Sequence, residues 1–219
     1  MTFNAKNSAN AAFAKIGKYS WRKQHSSKGV PVALEQTLPR NLPVFFAILL
    51  RCSATPHYPE LNPKLQIYQD ASKGFPLAQT WYMLYRNYEK DPAFGTSKCL
   101  RHSHLKSEKD GQYQTLAQYG ENQSAKARTT LESTEGYTAK NQINIHPEGQ
   151  NMTLSYYISF VDVKKCAVSR NIYVNEDACS VVVPEDQLGK STTCCDFIYD
   201  LLCGTKKFQI SDTSCKNQH

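Results

Sequence analysis

The chain has 219 residues, 40% of them hydrophobic and 21% charged, which is the composition of one globular domain or at most two. Its formal charge of +7 is unevenly placed: residues 1–54 hold eight of the 26 basic residues and only Glu35 of the 19 acidic ones. Residues 55–219 therefore carry 18 of each and no net charge, which removes the basic footprint that nucleic-acid binding requires.

Residues 1–40 are polar, basic and without periodicity. The apolar run 42–50 is too short to span a bilayer as a helix. Cys52-Ser53-Ala54 follows it with small residues, the pattern of a signal-peptide core and its cleavage site. A buried strand is the alternative for 42–50. We expect residues 1–54 to be removed and 55–219 to fold as one secreted, extracellular domain. Cys52 would leave with the signal, so seven of the eight cysteines would remain, an odd number in an oxidising compartment.

Proline punctuates 57–63, where no regular structure is expected, and weak helical periodicity over 65–73 ends at Gly74. The aromatic stretch 79–88 then reads as a strand. Trp81, Met83 and Tyr85 would share one face, and Tyr82, Leu84 and Arg86 the other. Seven more strands follow near 98–107, 112–120, 123–133, 136–146, 151–161, 165–174 and 178–184, separated by turn signals such as Lys109-Asp110-Gly111 and Pro147-Glu148-Gly149. Eight evenly spaced short strands without a long crossover predict a mainly β fold, an antiparallel meander able to close into a barrel. A barrel of that size encloses side chains or one small ligand.

Sequons at Asn122 and Asn151 fall in predicted turns, as surface glycosylation of a secreted protein requires. His102-Ser103-His104 places two imidazoles on one strand face; no third ligand has matching spacing, so we read a solvated face and expect no metal site. No nucleophile-elbow, phosphate-loop or zinc-protease motif occurs, and neither an enzymatic activity nor a cofactor is expected. Thr193 to Gly204 reads as a short helix. Thr193 would be its cap, Asp196 lies in its first turn, Gly204 follows its end, and Phe197, Ile198, Leu201 and Leu202 form an apolar stripe. Cys194, Cys195 and Cys203 flank that stripe, which suits a helix tied into a disulfide-held domain.

The cysteine-rich helix, the terminal Cys215, the run Tyr88-x-x-Asp91-Pro92-x-Phe94-Gly95 and Gly136-Tyr137-Thr138 together resemble the tick salivary lipocalins of the histamine-binding type, over about residues 64–216. The resemblance implies an eight-stranded lipocalin barrel with a helix near each end, and a monomeric carrier that captures small host mediators. Amines such as histamine or serotonin come first; leukotrienes or thromboxane, or a host protein such as complement met at the outer surface, are the alternatives. It pairs Cys99 with Cys215, and Cys166 with one member of the Cys194-Cys195 doublet. Our reading takes Cys195 as that partner and joins Cys179 to Cys203. It also implies an amine site at Tyr88, Asp91 and Phe94, where a carboxylate beside two rings offers an ammonium group both charge and aromatic faces. Glu132 and Glu135 are candidates for a second carboxylate. Asp91 has an equal alternative as a loop residue capping a turn. The sequence departs from the family's second amine site: Ala167 follows Cys166, and Ala178-Cys179-Ser180-Val181 stands where an acidic and aromatic run is expected.

Overall fold

The computed structural model describes residues 58–107 and 111–217. The apolar run 42–50, Cys52 and the cleavage site at 52–54 lie outside the described residues. Eight strands form the closed barrel: β1 (Trp81–Arg86), β2 (Arg101–Ser107), β3 (Gln112–Tyr119), β4 (Gln123–Glu132), β5 (Gln142–Pro147), β6 (Leu154–Asp162), β7 (Cys166–Arg170) and β8 (Cys179–Pro184). Each pairs antiparallel with the next, and β1 closes the ring by pairing with both β8 and β2. A two-residue strand, β9 (Phe208–Gln209), adds to β1. The helix α1 (Thr193–Cys203) lies outside the barrel, and 3-10 turns at Pro63–Tyr68 and Ala71–Lys73 precede β1.

Residues 71–77 meet the barrel at the end where β1 begins. The Ala71 amide donates to the Lys140 carbonyl at 2.8 Å, and Phe75 contacts the Tyr113 ring at 5.1 Å. The loop 87–100 leaves the other end. The segment expected to be helical over 65–73 is thus two separate 3-10 turns, each started by a side chain, Asn62 Oδ1 and Asp70 Oδ1, accepting a nearby amide.

The face alternation expected for β1 fails at its centre. A bulge between Met83 and Tyr85 inserts Leu84, so Tyr85 joins Tyr82 on the outer face while Trp81 and Met83 line the interior. Tyr82 and Tyr85 therefore reach the layer under α1, with Val168, Val181, Val183 and Leu188. The strand expected over 136–146 starts only at Gln142. Residues 133–141 fold as a loop in which Asn141 Oδ1 accepts from the Thr134 amide at 2.9 Å and the Tyr137 hydroxyl donates to Gln69 Oε1 at 2.9 Å.

The helix at 193–203 forms, but only half of its apolar stripe turns inward: Ile198 packs against the core and Leu202 is half-buried. Cys195 and Tyr199 are its buried residues, whereas Phe197 and Leu201 are 53% and 69% exposed. Its orientation is set by covalent and polar anchors rather than by the aliphatic stripe. Cys195 is bonded to Cys166 and Cys203 to Cys179. The Tyr85 hydroxyl donates to Asp196 Oδ1, and the Tyr199 ring stands edge-on to Tyr85 at 4.9 Å. Thr192, not Thr193, precedes the helix, and its hydroxyl donates to Asp196 Oδ2 at 3.0 Å. Gly204 ends it with φ +78°, a conformation that favours glycine. Among the described residues Cys99–Cys215 is the third disulfide, and Cys194 is free and exposed.

Candidate functional site

The barrel interior is divided between a polar cluster and an apolar cavity. The cluster is built on Arg86, the last residue of β1, which is fully buried. Its guanidinium donates to the carbonyls of Tyr88 (3.0 Å), Glu89 (2.7 Å) and Gly95 (2.7 Å), and so shapes the loop that follows β1. It also pairs with Asp91 at 3.4 Å, with both side chains fully buried. Asp91 Oδ1 accepts from the amides of Ala93 (2.8 Å) and Phe94 (3.1 Å), the turn-capping arrangement open to Asp before proline. Asp91 Oδ2 accepts from the hydroxyls of Tyr173 (2.7 Å) and Tyr88 (3.2 Å). The Tyr88 hydroxyl in turn accepts from Asn171 Nδ2 at 2.7 Å.

Burial, with the Asp91 charge nearby, raises the pKa of Tyr88 well above the ordinary phenol range. Burial does the same for Tyr156 and Tyr173. These phenols stay protonated and act as hydrogen-bond donors. Asp91 thus has one cation and four further donors around it. Tyr88, Asp91 and Phe94 do come together as the sequence implies. Phe94 packs into the inner core, edge-on to Tyr119 at 5.1 Å. Glu132 and Glu135 do not join them: both are exposed, at the end of β4 and in the loop after it, where the barrel meets residues 71–77. Asn122 and Asn151 are exposed in the β3–β4 and β5–β6 connections.

Below the cluster lies the cavity. Its walls are mainly apolar, from Met83, Ile143, Ile145, Ile158, Val161 and Val182, and Phe75 and Leu77 contribute from the segment before β1. Among the described residues no acidic side chain lines it. Thr115 and Thr129, diagonal neighbours on β3 and β4, bond to one another at 2.9 Å. Ser169 and Ser180 do the same at 3.0 Å across β7 and β8, with Asn171 bonded to both.

Two features were hidden from sequence reasoning. His102, read as part of a solvated face, lines the cavity instead, and burial lowers its pKa to about 4. Alternation marked its strand face, but a polar residue carries no hydrophobic signal to show which face is inward. The second is Glu60, in the segment read as irregular. It is 2% exposed and pairs with Arg170 at 2.7 Å, while the Arg170 guanidinium lies over the Tyr58 ring at 4.8 Å. This pair joins the residues before the barrel to β7.

Among solved structures the chain is similar to the AM182 serotonin complex, at 16% identity and TM-score 0.45, covering 65% of this chain and 88% of that one. It is also similar to Japanin from Rhipicephalus appendiculatus bound to cholesterol, at 12% identity and TM-score 0.48, covering 63% and 95%. A third is H1 crustacyanin from the lobster Homarus americanus, at 12% identity and TM-score 0.48, covering 69% and 84%. No match was found among curated protein sequences. Residues 59–217, which contain the whole barrel, α1 and all three disulfides, match the tick histamine binding protein family, and the chain belongs to that family.

Proposed function

We propose that this protein is secreted, loses residues 1–54, is glycosylated at Asn122 and Asn151, and sequesters a small, predominantly apolar mediator in its barrel by stoichiometric binding. The observation that carries the choice of ligand is the charge balance of the interior. Asp91, the carboxylate available to an ammonium group, is matched by Arg86, and among the described residues no acidic side chain lines the cavity. An amine entering this interior would leave its charge unpaired, which is costly in an apolar site. A lipid mediator such as a leukotriene meets apolar walls instead. The second reading, capture of histamine or serotonin, is favoured by the family to which the chain belongs.

Calorimetric titration with histamine, serotonin and a leukotriene separates the two. We expect one leukotriene to bind per chain and neither amine to bind. Asp91→Asn should lower stability by roughly 3–5 kcal/mol, because it leaves Arg86 buried without its counter-charge. Should an amine bind, and Asp91→Asn weaken it by about 1.5–3 kcal/mol with the fold intact, Asp91 is the counter-ion and the amine reading replaces ours.

A further inference from the structure

We infer that Trp81 and His102 form a polar anchor in the cavity wall that holds an uncharged carbonyl or hydroxyl oxygen of the ligand. This rests on the apolar-cavity reading above and adds to it the chemical group that the ligand carries. Trp81 and His102 are directly opposite each other in the register of β1 and β2, so their side chains leave the sheet side by side on the same face. Both line the cavity. Of the other polar groups of the wall, the threonines bond to each other, the serines to each other and to Asn171, and the Tyr156 hydroxyl interacts with that of Tyr173. Among the described residues, neither the indole N–H of Trp81 nor the imidazole of His102 has a side-chain hydrogen bond. Two adjacent polar groups are thus left over in a wall that is otherwise apolar or self-paired.

What they can hold follows from their chemistry. The indole nitrogen only donates. The imidazole, kept neutral by burial, has one N–H to donate and one lone pair to accept with. Two donors side by side suit a single acceptor oxygen. A ketone satisfies both, and a hydroxyl satisfies both and can also donate. A protonated amine brings donors only: it has nothing to offer the indole, and its charge finds no acid among the described residues of the wall. A carboxylate would gain the donors but no cation, because Arg86 is committed to Asp91 and three carbonyls. The anchor therefore selects a neutral oxygen on an apolar body, which in a leukotriene is a hydroxyl and not the carboxylate.

The test uses three probes of one skeleton, 2-acetonaphthone, 2-ethylnaphthalene and 1-(2-naphthyl)ethylamine, titrated calorimetrically into the full chain and into Trp81→Phe and His102→Leu. The readout is the ratio of affinities for the ketone and the hydrocarbon, which a general loosening of the cavity would leave unmoved. We expect the wild-type protein to prefer the ketone by about three- to tenfold and to bind the amine most weakly. Each substitution should move the ketone-to-hydrocarbon ratio toward one, and Trp81→Phe, which keeps an aromatic ring, serves if His102→Leu does not fold. A wild-type ratio near one, a ratio unchanged by the substitutions, or a preference for the amine overturns the anchor while leaving the cavity as a binding site. Failure of all three probes to bind the wild-type protein overturns the cavity reading, and the anchor with it.

Discussion

Two walls of the same barrel are built on different rules. In the wall β7–β8–β1 nearly every residue is buried, because the inner face meets the barrel interior and the outer face lies beneath α1. Its sequence shows this as continuous apolar runs such as Val181-Val182-Val183. In β4, on the opposite wall, Ala127 and Thr129 are buried while Lys126 and Arg128 are exposed, so alternation replaces continuity. The contrast teaches that an antiparallel barrel strand reads like a core strand only where a second layer covers it. Two of the three disulfides sit on the covered wall, joining β7 and β8 to α1. The helix is therefore part of the wall's structure rather than an appendage.

This contrast can be broken first at Tyr199, which is fully buried between α1 and β1 and whose hydroxyl donates to the Lys206 carbonyl at 2.9 Å. Tyr199→Ala should cost about 3–5 kcal/mol in denaturant unfolding, in line with aromatic truncations in cores. Removing Cys166–Cys195 with a double alanine substitution should cost about 3–4 kcal/mol, since it reopens a closed loop with a sequence separation of 29.

Acid acts on the interior rather than on either outer face. The folded pKa of His102 lies below its ordinary value of 6.5, at about 4, because burial disfavours the charged ring more than the Asp91 charge favours it. The unfolded chain thus takes up this proton first as pH falls. The stability due to the neutral ring is complete above pH 6.5 and is lost toward pH 4, by about 3 kcal/mol. Thermal melts from pH 7 to pH 4 should show a shallower decline for His102→Leu than for the wild-type protein. At the small end, Lys126→Ala on the open wall should change stability by less than about 0.5 kcal/mol. A larger loss there would show that the outer face of β4 is covered after all.

Much of this fold was legible because turns and strand lengths are local properties. The eight strands, their order and the helix at 193–203 follow from spacing and punctuation, and the disulfide partners follow from the family resemblance and our choices within it. Facing was less legible where it depends on a single inserted residue or a distant bond. Leu84 forms a bulge that no propensity marks, and it moves Tyr85 from the face of Trp81 and Met83, where alternation put it, to that of Tyr82. Phe197 and Leu201 read as the buried stripe of the helix. The bonds at Cys195 and Cys203 hold the helix so that Cys195 and Tyr199 face inward, with Ile198 of the stripe beside them. For the site, the proximity of Tyr88, Asp91 and Phe94 could be read from the chain. Arg86 as the partner of Asp91 could not, since both of the possibilities for Asp91 were consistent with its sequence neighbours.

The closure of β1 on β8 also dictates a timetable. The first strand to emerge during synthesis is hydrogen-bonded along one side to the last barrel strand, so it waits for almost the whole domain before that edge is paired. Cys99 waits longer still, because its partner lies 116 residues further along, next to the end of the chain. In the interval the nascent barrel is an open sheet with an exposed hydrogen-bonding edge and an unpaired thiol, while Cys166 and Cys179 arrive before Cys215 and can react with it. Closure of the barrel domain therefore waits for β8 and for Cys215, and it is helped by conditions that can undo premature sulfur bonds as well as make new ones.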